Sequence, residues 1–327
     1  MSSGGTGGLA GEVSRRQSRW LAAQFALAIA VLAIAAFFTF ASPSTVTLVR
    51  RFAPASLGDQ PSGAVVLARE DGSLAVGIAV APRVHGLLVV ATIFSPTGGG
   101  APDLRARVTV TGRDGTTASG TARACATTGC YEAVLAFKGL PERAALSLGQ
   151  GTPLVFTLPK HGPSVDARHL IALAEAEYKR IRTMVTYEKL ASSPTAVAYT
   201  TYYAVAPDRL RFTVRGEDQS IIIGDQRWDR SIGGRWEKSR QSPVNPISPY
   251  WAPLVQDPTI LGTTTVRGQP ITEISFADPQ TPGFFTIWVN RRNDRTVRLV
   301  MTAAGHFMHH TYARFNAAIS VQPPRTR

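Results

Sequence analysis

Pro207-Asp208-Arg209-Leu210-Arg211-Phe212-Thr213-Val214-Arg215 changes side with every residue. Leu210, Phe212 and Val214 are apolar, and the arginines and threonine between them are polar. A period of two is the mark of a strand with one buried face. The next stretch repeats it. Residues 219–223 form a strand segment that stops at Gly224-Asp225, a hairpin signal, and residues 226–229 lead back. Farther along, Val297, Leu299 and Met301 alternate with Arg298, and Tyr199, Thr201, Tyr203 and Val205 share a face. With 235–238, 260–266, 271–276, 284–289 and a closing run from 301 to 315, the region predicts nine or ten antiparallel strands. A Pro-rich stretch at 243–258, containing Tyr250-Trp251, interrupts them as a loop or short helix.

Upstream the period changes. Leu170, Leu173, Ala174, Tyr178 and Ile181 recur at helical spacing, with Ser164 or Asp166 as a cap, which predicts a helix over 164–182. So many strands against one helix curl into an open or partial barrel. Phe212, Trp228, Trp236, Phe276, Phe285 and Trp288 are the candidates for its inner lining. Two readings stand: the aromatics fill a core, or they line a cavity for an apolar ligand.

The middle of the chain, 62–159, is a run of short β segments between turn signals such as Asp71-Gly72 and Asp114-Gly115. Seven or eight strands without a helical period predict an immunoglobulin-like sandwich. Cys125 and Cys130 close a short loop there, read either as a disulfide or as a thiolate pair for copper. The boundaries expected are a tail at 1–19, an apolar span at 20–42, a linker at 43–61, the sandwich at 62–159 and the second β domain at 163–323. As a helix the apolar stretch from Trp20 to Ala41 rises about 33 Å, enough for a bilayer core. Arg15, Arg16 and Arg19 precede it, which places 1–19 in the cytoplasm and the bulk of the chain outside. A cleaved signal peptide is the alternative.

The formal net charge is +13, of which residues 160–327 carry +8 and residues 52–159 only +1. A basic surface attracts anions. An extracytoplasmic location favours lipid over nucleic acid as the partner. Hydrophobic residues make up 44%, which excludes a disordered chain. The sequence shows no Gly-x-Ser-x-Gly elbow, no His-Glu-x-x-His and no phosphate loop, and the expectation is a non-enzymatic protein without a resident cofactor.

Two resemblances add to this. The Pro-Asp-Arg-Leu-Arg-Phe step at 207–212, the Gly224…Trp228 step and Phe285-Thr286-Ile287-Trp288-Val289-Asn290 resemble the LolA/LolB-like lipoprotein-carrier superfamily over about 165–320. That family implies an antiparallel half-barrel wrapped on an α-helix, with an apolar cavity for acyl chains. Asn290 stands where its usual Asp would be. Residues 301–312, Met-Thr-Ala-Ala-Gly-His-Phe-Met-His-His-Thr-Tyr, resemble the exported tail of actinobacterial copper-resistance D-type membrane proteins. That likeness implies a separate copper transporter as partner, because the family's multi-helix part is absent from this sequence. On a strand His306, Met308 and His310 share one face, and imidazole with thioether suits copper. The three span about 13 Å, too far for one ion without help from a neighbouring strand.

The fold class expected is thus mainly β with one transmembrane helix, a sandwich followed by the half-barrel. The function expected is a membrane-anchored extracytoplasmic protein of the bacterial envelope that holds a lipid, a lipoprotein or another apolar ligand. The rival is an accessory or sensor in copper homeostasis.

Overall fold

The computed structural model describes residues 57, 60–160, 164–279 and 282–325. Nine strands build the first part: β1 (Val65–Asp71), β2 (Leu74–Arg83), β3 (Gly86–Phe94), β4 (Ala106–Gly112), β5 (Thr117–Thr121), β6 (Arg123–Ala124), β7 (Cys130–Leu135), β8 (Pro141–Leu148) and β9 (Leu154–Thr157). They form two sheets, β1-β2-β3-β7-β6 and β5-β4-β8-β9. Val76, Ile78, Val89, Ile93, Val108, Val110, Leu146 and Phe156 fill the space between them. The β4–β5 hairpin turns at Gly115, which takes a φ of 81°. Asp114 accepts hydrogen bonds there from the backbone and hydroxyl of Thr116.

Strand β2 explains what the sandwich rests on. Val76, Ile78 and Val80 point into the sandwich, while Ala75, Gly77, Ala79 and Ala81 alternate with them. The small residues let a second layer approach. Ala75, Ala79, Ala81, Val66 and Phe94 form one buried cluster with Ala191, Ala277, Phe284 and Phe307 from the C-terminal sheet.

That sheet has twelve strands, all antiparallel to their neighbours. In chain order they are β10 (Val165–Asp166), β11 (Thr183–Ser193), β12 (Ala196–Val205), β13 (Arg209–Val214), β14 (Gln219–Ile223), β15 (Gln226–Arg230), β16 (Glu237–Arg240), β17 (Gln256–Val266), β18 (Gln269–Asp278), β19 (Gly283–Asn290), β20 (Thr296–Ala303) and β21 (His306–Ala313). The spatial order is β10-β17-β18-β19-β20-β21-β11-β12-β13-β14-β15-β16. The pairing of β21 with β11 therefore joins two meanders into one wall.

The single α-helix among the described residues, α1 (Arg168–Tyr178), lies on the face away from the sandwich, here called the inner face. It starts later than the sequence predicts. Val165 and Asp166 pair with Ile260 and Thr259 instead of entering the helix, and the Asp166 carboxylate accepts the N–H of Arg168. The Pro-rich stretch holds a short 3-10 turn, Ala252–Leu254.

The expected fold class needs one correction. No helix among the described residues is long and apolar enough to cross a membrane, and the described chain is β with one helix of 11 residues. The expected tail at 1–19 and span at 20–42 lie outside the described residues, as does most of the linker.

Candidate functional site

The register assigns each side chain of the large sheet to a face. Phe212 pairs with Tyr202, and Leu210 with Ala204 and Ile222. Glu188 is opposite both Thr200 and His310, and Met308 is opposite Leu190 and Met301. Phe285 lies between Met301 and Phe276. These residues share the inner face and are buried, Leu190 partly so. Phe276 and Phe285 stack in parallel with centroids 5.1 Å apart, and Trp251 closes over Phe276 at 6.2 Å. Tyr178 of α1 meets Trp251 edge-on. Met184, Met301 and Met308 all belong to this wall and are buried. Thioethers suit a surface that must adapt to what lies on it.

Three of the six aromatics expected to line this face do so: Phe212, Phe276 and Phe285. The other three do not, and the inner lining is corrected accordingly. Trp228 pairs with Ile221, which in turn is opposite Arg211, so it lies on the outer row. It packs there against Val321 of the C-terminal segment, and half-buried Trp236 joins the same cluster. Trp288 alternates with Phe285 and Ile287 and faces the sandwich side. The physical cause is common to all three. Both faces of this sheet are covered, so an apolar side chain is welcome on either, and composition loses its power to tell them apart.

The outer face also carries the arginines. Arg211 lies over the ring of Tyr203 at 4.3 Å, Arg215 over Tyr199 at 4.8 Å, Arg230 over Trp236 at 4.7 Å and Lys238 over Trp228 at 5.4 Å.

A polar group interrupts the inner wall. The Glu188 carboxylate accepts from the Tyr202 hydroxyl at 2.8 Å and meets Nε2 of His310 at 2.9 Å. Nδ1 of His310 is 3.1 Å from the Tyr312 hydroxyl. Burial would raise the pKa of Glu188, but His310 and Tyr202 outweigh it and hold the carboxyl below its usual value. Burial pushes Tyr178 up to about 12, and Tyr202, Tyr250 and Tyr312 well above the usual range. The phenols are therefore neutral hydrogen-bonding groups. A carboxylate–imidazole pair activates a nucleophile only when the far nitrogen faces one. Here it faces the Tyr312 hydroxyl, so Glu188, His310 and Tyr312 form one hydrogen-bonded chain across the inner wall. Nothing in the sequence reading pointed to Glu188. Its signal was a carboxylate at a position where Met184, Thr186 and Leu190 mark the buried face.

His306, Met308 and His310 do share the inner face, but they do not converge on a point. Met308 is fully buried, His310 is engaged by Glu188 and Tyr312, and His306 lies one pairing beyond Met308, opposite Ala303. Burial lowers the pKa of His306. Among the described residues, no group of three or more His, Cys, Asp or Glu is placed to hold a metal ion. Cys125 and Cys130 form a disulfide at the β6–β7 connection, not a thiolate pair.

Three solved structures are similar to about half of this chain. LprF from Mycobacterium bovis is 12% identical, with a TM-score of 0.37 over 48% of this chain and 96% of that one. The Mycobacterium tuberculosis lipoprotein LppX is 13% identical, with a TM-score of 0.36 over 47% and 99%. The LolA superfamily protein NE2245 from Nitrosomonas europaea is 11% identical, with a TM-score of 0.26 over 48% and 96%. The expected likeness to copper-resistance D-type proteins has no counterpart among these. No protein-family model matches the chain, and no curated protein does.

Proposed function

We propose that this chain is a binding protein, not a catalyst, which holds an apolar ligand of the lipid class on the inner face of its twelve-stranded sheet. One observation carries the reading: the breadth of that apolar face, which far exceeds the one helix laid on it. Twelve strands at about 4.8 Å spacing make a wall roughly 50 Å across. Helix α1, with 11 residues, is about 16 Å long and about 10 Å wide. It covers two or three strands. The inner face is apolar and buried from Ile274 and Phe276 through Leu299, Met308 and Met184 to Phe212 and Ile222, far beyond the helix, and the Pro-rich stretch with Val244, Ile247 and Trp251 shares in covering it. An acyl chain suits an apolar wall of this breadth, and the methionines suit a ligand of variable shape. The disulfide supports an oxidising compartment outside the cytoplasm.

Native mass spectrometry of the full chain purified from cells tests this. The expected result is a lipid-sized adduct that diminishes in Phe285→Glu. With fatty acids of increasing length as probes, affinity rises roughly fourfold per methylene, the equivalent of about 0.8 kcal/mol, until the face is filled. A bare protein mass together with no uptake of any fatty acid overturns the reading.

A further inference from the structure

On the opposite face of the sheet, between it and the sandwich, lies a cleft of about 730 Å³. This is within the usual range for small-molecule sites, about 300–1,000 Å³. Its floor is two cross-strand rows. Glu273, Trp288 and Arg298 are direct register partners on β18, β19 and β20. Thr286, Val300 and His309 are partners on β19, β20 and β21. Its roof is the sandwich edge: Leu67 and Arg69 of β1, and Phe156 and Lys160 at the end of β9.

The chemistry of the lining is one-sided. Arg69, Lys160 and Arg298, all solvent-exposed, bring three fixed positive charges to the cleft, and Glu273, which feels the charge of Arg298, is the one carboxylate among the lining residues. Among the described residues, none of the three cations makes an ion pair within 4 Å; those pairs lie elsewhere, at Arg143, Arg168, Arg180, Arg227, Arg240, Arg295 and His310. Arg298 instead rests on the face of Trp288, 4.4 Å from the ring centroid, which fixes its planar fork at the floor. Burial, with Arg298 and Lys189 adding and the nearby Glu70 opposing, lowers the pKa of His309, so near neutral pH its ring is uncharged and can donate one hydrogen bond. Leu67, Phe156, Val300 and the indole supply apolar walls beside these groups. A cleft with three cations against one lining carboxylate, a braced guanidinium and a greasy margin suits an anion that has an apolar part.

We propose that this cleft is a second binding site, separate from the inner face, for a phosphate-bearing ligand whose phosphoryl group is held among Arg69, Lys160 and Arg298. A free phosphate and the headgroup of a phospholipid share this chemistry, and probes separate them.

Calorimetric titration of the full chain with inorganic phosphate and with dihexanoyl phosphatidic acid is the test. Saturable binding is expected, with a shift of the His309 ring resonance. Arg298→Ala should weaken it about tenfold, as the loss of one charge-assisted contact does. Gly262→Leu should abolish it by filling the cleft. Gly262 lines the cleft beside Glu273, and a Cβ built on it meets nothing within 4 Å, so the new side chain starts into open space, and an unchanged melting temperature checks that the variant is folded. Equal affinity for the two probes assigns the site to the free anion, and tighter binding of the phosphatidic acid assigns it to the lipid headgroup. No saturable binding of either probe, or affinities unchanged in both variants, overturns the proposal. Because Gly262 is on the outer face, lipid adducts on the inner face persist in Gly262→Leu, and the two readings stand or fall separately.

Discussion

Glu188 and His310 are both more than nine-tenths buried, and neither would survive there alone. Breaking such a pair from one side leaves an uncompensated polar group in a dry wall. Glu188→Gln is therefore expected to cost about 3 kcal/mol, read from denaturant unfolding. The pH dependence follows from the shift of Glu188. Its folded pKa is below its ordinary 4.5, so the stabilisation is complete above that value and is lost as pH falls through the folded value. His306, also depressed from its ordinary 6.5 by burial, adds a gentler loss that begins as pH drops below 6.5. Melting temperatures between pH 8 and 3 should show both slopes, and Glu188→Gln should flatten the lower one. An unchanged acid limb in that variant would show that the pair carries no stability. The pairing was hidden in the sequence because its partners are 122 residues apart and meet only through the β11–β21 contact.

The element that joins the two halves is β2, and its reading shows how far pattern carries. Strand positions, the hairpins at Asp71-Gly72 and Gly224-Asp225 and the helix near 170–178 were legible, because turn residues and a period of two or 3.6 are local properties. Which face of β19 looks inward was not. Phe284 to Val289 is apolar on both sides, and only the third layer beneath it explains why. The Phe284 ring occupies the space a side chain on Gly77 would need, with ring atoms 2.0–2.4 Å from the position of a Cβ. Gly77→Ala is expected to destabilise by about 1–3 kcal/mol through overpacking. Phe284→Leu in the same chain should restore part of the loss, since it withdraws the ring. A double-mutant cycle checks this: additive effects would mean that the two residues do not press on each other.

At the scale of the molecule, the sandwich and the large sheet share one compact unit, although the sequence reads as two successive β domains. The cluster that binds them is built from both sides. Ala75, Ala79, Ala81 and Phe94 come from the sandwich, and Ala191, Ala277, Phe284 and Phe307 from the sheet. Phe94 and Phe284 face each other at 6.3 Å and, with Phe307, are the largest groups in it. A core of this kind couples the two halves, because neither can unfold without exposing the other's buried face. Scanning calorimetry should thus give one transition, with calorimetric and van't Hoff enthalpies equal. Phe284→Ala removes the main filler at a cost of about 3–5 kcal/mol and leaves the sandwich interior and the inner face intact. The expected consequence is a split into two transitions, the lower belonging to whichever half depends more on the shared layer. Two transitions already in the unaltered protein would mean that the layer is a contact surface and not a common core.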